Sequence, residues 1–396
     1  MKRVFLLAVL IAAFSLTFVF ADYGAFVQGE FDTVGKDDTG ISGSIVFAPW
    51  LSLPFGKSEL SVSAGLHTHI SDNTYAAPDL LQLEFSSSIS PLFSFRLGRF
   101  NWQDSSGFVA GGRFDGAELF FSPGNIRIGI NALYTGLLFK DTADISISPT
   151  GTNIYDTPFD WKDFTGTYAA PRRLMASVHG EFPGFPQGRG QLYAGILAQF
   201  DFTDASEKLN TQYLLLRHVM VIKAFDLDLA VATELENTET KNVRPAFAYS
   251  LEAGLQPPAS FNNRISLGMS WASGKGDYTA AFFPVTLKAQ SFVLEPGFSG
   301  MMIIRMNYQA RILPSLSANL GAFYFIRTDS SSFTAAHLEP NSYPLGMELA
   351  AGAKWIPLSD LSFSLNGGVF LPQTGTAWAA DAPVLWRITL GAIFSF

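Results

Sequence analysis

The 396-residue sequence contains no cysteine, so no disulfide can staple its fold. Charge is scarce as well: Asp, Glu, Lys and Arg make up 15 % of the chain, against roughly a quarter in ordinary soluble domains. The formal charge of −8 offers no basic surplus, and no nucleic-acid partner is expected. Long apolar runs are missing too. After the first 21 residues, nothing reaches the ~18 uncharged apolar residues that a membrane-spanning helix requires. Yet the composition is membrane-like, with mean hydropathy +0.20, 14 % aromatic residues and 37 Phe. Only helices and closed barrels satisfy every backbone group inside lipid, and without spanning helices a barrel is left.

The opening stretch "MKRVFLLAVLIAAFSLTFVFA" reads as a secretory signal. Lys2 and Arg3 form the charged start, an apolar run follows, and "VFA" presents small residues for cleavage before Asp22. Cleavage would remove both cations and take the formal charge to −10. The expected organisation is therefore a signal peptide over 1–21 and one barrel over 22–396. A first strand beginning near residue 23 leaves no room for an amino-terminal plug or hatch, which argues against an energised importer or a fatty-acid channel.

The chain closes on "LWRITLGAIFSF". Phe396, Phe394, Ala392, Leu390, Ile388 and Trp386 share one face of an alternating segment, with Ser395, Thr389 and Arg387 on the other. A period of two marks a strand between two different environments, here lipid and water. Segments of about ten such residues recur along the chain. They are placed at 23–32, 41–49, 59–70, 79–88, 92–99, 115–122, 125–136, 172–182, 190–202, 210–222, 226–236, 246–256, 264–273, 300–312, 316–328, 344–356, 361–371 and 384–396. The expected fold is thus an all-β transmembrane antiparallel barrel of about eighteen strands. "YLLLRHVMVIKAF" (213–225) shows no clean alternation, so the tenth and eleventh strands are the least defined.

Loop lengths give a second, unrelated signal. Short turns such as "SPGN" (122–125), "LPS" (313–315) and "PLSD" (357–360) fall at every second junction. The long connections, 137–171, 274–299, 329–343 and 372–383, fall at the others. Short turns on one rim and long loops on the other are the habit of outer-membrane barrels. Trp50, Trp271, Trp355, Trp386, Tyr249, Tyr308 and Tyr324 lie near strand ends, as interfacial girdles require.

The face turned away from lipid carries charge, which is costly to enclose unless hydrated or paired. A barrel of this size is wide enough to hold water. The candidate pore-lining residues are Arg96, Glu118, Arg127, Arg264, Arg305, Arg311, Arg327, Glu348 and Arg387. Two readings of the arginines stand side by side. They form a ladder that draws anionic or hydroxyl-rich solutes inward, or they pair with neighbouring carboxylates and brace the wall. The loops 137–171 and 274–299 either fold into the pore or lie solvated on the surface.

Two stretches resemble the alginate-export-type outer-membrane porins: "LGRFNWQDSSGFVAGGRFDGAELFF" (97–121) and "SWASGKGDYTAAFFPV" (270–285). The resemblance implies an eighteen-stranded barrel with an electropositive lumen that passes an anionic polysaccharide. It places Arg99, Arg113 and Asp115 in the first motif and Asp277 in the second.

Catalysis by a barrel wall would need histidine with an acid and a nucleophile. Only five histidines exist. "HTH" sets His67 and His69 on one face, where they line the lumen or ligate a metal, and His179 shares a face with Glu181. No recognised Ser or Asp spacing accompanies them. No catalytic residue, metal site or cofactor is assigned. The expected function is passive diffusion of small polar or anionic solutes, an anionic saccharide among them, across the outer membrane of a diderm bacterium. The partners are then outer-membrane lipid, the solute, and the insertion machinery that reads the last strand ending at Phe396. An outer-membrane lipid or peptide hydrolase and a surface adhesin are the alternatives.

Overall fold

A computed structural model of the chain describes residues 21–35, 39–71, 73–146, 153–185, 188–203, 208–238, 241–258, 262–329, 338 and 342–396. The expected signal peptide at 1–21 lies, apart from Ala21, outside them. Eighteen strands follow one another: β1 Asp22–Gly35, β2 Thr39–Phe55, β3 Ser58–Ile70, β4 Tyr75–Ser88, β5 Phe93–Gln103, β6 Gly111–Phe121, β7 Arg127–Tyr134, β8 Arg173–Pro183 and β9 Gly190–Asp201. The second half continues with β10 Leu209–Ile222, β11 Phe225–Thr238, β12 Lys241–Leu255, β13 Asn263–Ala272, β14 Met301–Leu313, β15 Leu316–Arg327, β16 Pro344–Leu358, β17 Leu361–Pro372 and β18 Leu385–Ser395. Every expected segment is a strand.

Each strand pairs antiparallel with the next in sequence, and β18 pairs with β1, which closes the cylinder. The seam runs from Gly35↔Trp386 to Phe26↔Ser395. Beyond it the backbones of Ala25 and Phe396 exchange two hydrogen bonds, of 2.8 and 2.9 Å. The terminal phenylalanine thus completes the ladder, with its ring on the outer, apolar face beside Phe394. Closure removes the unpaired edge that an open sheet would present to lipid.

The outer wall is apolar. Leu119, Ile130, Leu267, Leu320 and Leu390 alternate outward and are each more than half exposed, as a lipid-facing surface demands. Stacked pairs such as Tyr249 with Trp271 and Trp355 with Phe363 add aromatic bands. The four long connections, 135–172, 273–300, 328–343 and 373–384, all leave one rim. Both ends of the barrel and the short turns, such as Lys223–Ala224, lie at the other.

The interior is not polar throughout, and here the structure adds what periodicity omits. Toward the long-loop rim the inward positions of β11 to β13 include Ala232, Ala246, Ala248 and Ala272, all fully buried. Against this smooth patch pack Ala280, Phe282, Val285 and Phe298 of the 273–300 loop, with Leu138 and Ile145 of the 135–172 loop. Burying rings such as Phe282 and Phe298 stabilises the arrangement by about 2 kcal/mol apiece. A second apolar cluster, with Phe325, Leu345, Phe370 and Trp378, fills the neighbouring sector inside β14 to β17. Both long loops therefore fold inward. The irregular pattern of β10 has the same cause: Tyr213 and Leu215 face the lumen but lie under the loop, where Tyr213 Oη donates to Phe283 O at 2.5 Å. The inward face of that strand is apolar because something apolar covers it.

Candidate functional site

Three inward segments shape the lumen. The β5–β6 connection turns on Asp104, a buried carboxylate. Its Oδ1 accepts from the Ser106 and Gly107 N–H groups at 2.7 and 2.9 Å and from the Ser106 hydroxyl, and its Oδ2 accepts from Val109 and Ala110 N–H at 2.9 and 2.7 Å. That carboxylate holds Phe108 against Phe282 and Phe298. From there the 273–300 loop crosses the barrel. Val285 N donates to Val109 O at 2.7 Å, and Ser146 N of the 135–172 loop donates to Val285 O at 2.9 Å. Two wall glutamates anchor the loop. Glu234 on β11 accepts from Phe283 N at 2.8 Å, and Glu348 on β16 accepts from Phe292 and Leu294 N at 2.8 and 3.0 Å. Tyr155 donates to Ile145 O at 3.0 Å, and burial raises its hydroxyl pKa, so it stays a donor.

Beneath the loops lie two charged cavities. The larger, of 980 Å³, extends from Lys57 and Ser87 near the short-turn rim up to Thr142 and Lys288 at the loops. Arg96, Arg113, Arg127 and His179 line it with Glu84, Glu118, Asp144 and Glu181. Glu118 is its buried hub: it accepts from Arg96 at 2.6 Å and from Trp102 Nε1 at 3.2 Å, with His179 Nε2 at 3.6 Å. Arg127 lies 3.7 Å over the Phe120 ring and makes no ion pair among the described residues. The smaller cavity, of 220 Å³, is lined by Arg217, Asp228, Glu252 and Arg305. Its arginines are paired. Arg217 meets Asp228 at 2.5 Å, and a chain runs Asp226–Arg264–Glu252–Arg305 across four strands, with contacts of 2.5, 2.8 and 3.2 Å.

The expected pore-lining residues thus divide into distinct environments. Arg96, Arg127, Arg264, Arg305 and Arg311 reach cavities. Arg311 lies exposed near the short-turn rim and donates to Pro314 O at 2.8 Å. Glu348 and Arg327 point inward but are sealed, 0 % and 3 % exposed. Glu348 is covered by the loop that it anchors, and Arg327 donates to Ser342 O beside the 328–343 connection. Arg387 grips Asp32 across the seam at 2.5 Å and reaches Phe292 O at 3.2 Å and Glu295 of the crossing loop.

The motif residues have a different setting. The β4–β5 ladder stops at Leu83↔Arg99, whereas β4 continues paired with β3 up to Tyr75. Gly98, at φ +106°, stands where the strands part, and a Cβ there would lie 1.9 Å from Leu83 O. Arg99 spans the gap. It grips Asp115 at 2.8 Å with both prongs and donates to Leu80 O and Leu137 O. Arg113 meets Asp79 at 3.0 Å beside it. Asp277 is exposed on the 273–300 loop, apart from these three. An Arg99→Ala variant leaves Asp115 and two carbonyls unpartnered. It is expected to destabilise the barrel by about 3 kcal/mol, seen as unfolding at lower temperature in unboiled-gel mobility.

His67 and His69 join an aromatic cluster: His69 stacks on Tyr75 at 5.4 Å, and His67 lies 6.3 Å from Phe139. Among the described residues no group of three His, Asp or Glu side chains is placed to hold a metal ion. Four charged cavity residues escaped the sequence reading: Lys57, Asp144, Arg217 and Lys288. Arg217 was recoverable only with the face of β10 known. Lys288 sits in a loop, where no period exists to assign a direction; it is exposed, lines both cavities and makes no ion pair among the described residues.

No family model and no curated protein matches the sequence. Solved structures do match in fold. Pseudomonas aeruginosa OpdO is 14 % identical, with TM-score 0.62, over 95 % of this chain and 97 % of that one. OpdL of the same organism is 12 % identical, with TM-score 0.61, over 96 % and 99 %. OccK5 (OpdH), also from Pseudomonas aeruginosa, is 11 % identical, with TM-score 0.60, over 95 % and 98 %.

Proposed function

We propose that the protein is a passive channel for small polar or anionic solutes in the outer membrane of a diderm bacterium. One observation carries the reading: a closed, outwardly apolar cylinder encloses a 980 Å³ cavity lined by Lys57, Arg96, Arg113, Arg127 and Lys288. Enclosed charge of this density requires water, and five lining cations against four carboxylates, Glu84, Glu118, Asp144 and Glu181, favour anions. The solved structures of like fold are outer-membrane channel proteins, which supports the same reading. Lipid contacts the outer wall, and the last strand, ending at Phe396, is the handle for the insertion machinery. The resemblance to alginate-export porins extends the cargo to an anionic saccharide.

Of the two roles open to the arginines, the geometry favours bracing for Arg99, Arg264 and Arg387, which hold carboxylates in fork or chain arrangements. Steering falls to Arg127 and Lys288, whose charges are not matched by a carboxylate partner among the described residues. The test is single-channel recording in planar bilayers with purified full-length protein. Discrete conductance steps with anion preference are expected. Folded protein without conductance would return the reading to a hydrolase or adhesin, and lipase and protease assays would then separate those two.

A further inference from the structure

A third lumen cavity, of 800 Å³, opens at the short-turn rim on the wall opposite the cationic one. It is lined by Gln256, Asn262, Asn263, Gln309 and Asn319, with Arg264 and Arg311. Among the described residues no carboxylate lines it, and Arg264 is neutralised by Asp226 and Glu252. Arg311, which donates to Pro314 O, is left as one charge beside five amides. The five side-chain amides make no hydrogen bond to another of the described residues, and the Asn263 Oδ1 is buried without one. Glycine at 352 adds to the pattern. A methyl group there would lie 2.6 Å from Asn319 Oδ1 and 2.4 Å from Asn366 Oδ1, so its absence lets two amides converge.

A carboxamide presents a donor and an acceptor side by side, which is the complement of a hydroxyl group that also does both. A cation would call for carboxylates, which this cavity lacks, and an anion for clustered charge, of which Arg311 is a single instance against five amides. We infer that this amide-lined vestibule is a binding station for neutral, hydroxyl-rich solutes, sugars or polyols, at the short-turn mouth. It narrows the cargo of the proposed channel and rests on that reading for its role in transport. A solute with both a carboxylate and several hydroxyls would then engage the cationic wall and the vestibule in turn.

Glucose is the probe. Saturation-transfer NMR with the detergent-solubilised full-length protein is expected to show glucose binding, weakened about fivefold by Asn319→Ala or Gln309→Ala for each hydrogen bond lost. Both positions are exposed in the lumen, so folding is retained. In planar bilayers, glucose added on the short-turn side is expected to interrupt the current, with shorter interruptions in the double variant. No saturation transfer to glucose overturns the vestibule even if the protein conducts. Binding of glucuronate without glucose also overturns it, marking Arg311 rather than the amides as the recognising group. Glucose binding by a protein that does not conduct would keep the vestibule and remove the channel reading.

Discussion

Lys288→Glu is expected to turn the channel toward cations more strongly than neutralising Arg96 and Arg305 together. Both changes alter the net charge by two, so placement decides. Arg96, paired with Glu118, borders only the larger cavity, and Arg305, paired with Glu252, only the smaller. Lys288 has no ion-pair partner among the described residues and borders both charged cavities. Unit charges ~4 Å apart in water interact by about 1 kcal/mol. Reversal counts that twice, about 2 kcal/mol; screening by ~0.1 M salt removes about a third of it, so the permeability ratio is expected to move by about tenfold, and less as salt rises. Reversal potentials under a salt gradient measure it. A larger shift from Arg96→Gln with Arg305→Gln than from Lys288→Glu would mean that the paired arginines, not the loop lysine, set the field.

Excising residues 276–297 and joining the ends by a short Gly-Ser turn is expected to raise conductance several-fold. The loop crosses an eighteen-stranded cylinder that would otherwise be wide enough for an aqueous channel. The ladder does not depend on it, since β13 and β14 pair directly from Asn263↔Ala310 to Trp271↔Met302. Excision does bare Tyr213, Leu215 and the alanine patch, so lower thermal stability should accompany the wider pore. Glu348→Gln tests the same point with little loss of packing. A carboxamide sets an N–H donor against one of the two N–H groups of Phe292 and Leu294 that Glu348 now accepts from. Current fluctuations between narrow and wide levels are expected from that variant. Unchanged conductance after excision would mean that the loop does not occupy the conducting path.

Much of the architecture was legible because lipid imposes a strict rule. Outward residues must be apolar on every strand, and that requirement survives as alternation whatever the interior does. The parity of loop lengths added the sidedness, and the terminal segment ending at Phe396 announced a strand between lipid and water. The interior was less legible. Glu348 and Arg327 obey the inward period as well as Arg96 does, yet loops seal the first two and leave the third beside a cavity. Tyr213 and Leu215 broke the pattern of β10 for the same reason. Arg99 and Asp115 belonged to a stretch that resembled a porin motif, but only the early end of the β4–β5 ladder gives them something to bridge.

By itself, then, the sequence determined a closed eighteen-strand wall, its oily outer surface and the rim from which the long loops leave. These depend on residue spacing within a strand and on the solvent outside, both local properties. Tertiary structure decided which inward charges meet water, which are cancelled by a neighbour and which lie under a folded-in loop. Those outcomes depend on contacts between segments such as Phe283 with Glu234 and Leu294 with Glu348, 49 and 54 residues apart along the chain. No periodicity records such distances, because packing inside the barrel is set by the shape of the lumen and not by the repeat of the strand.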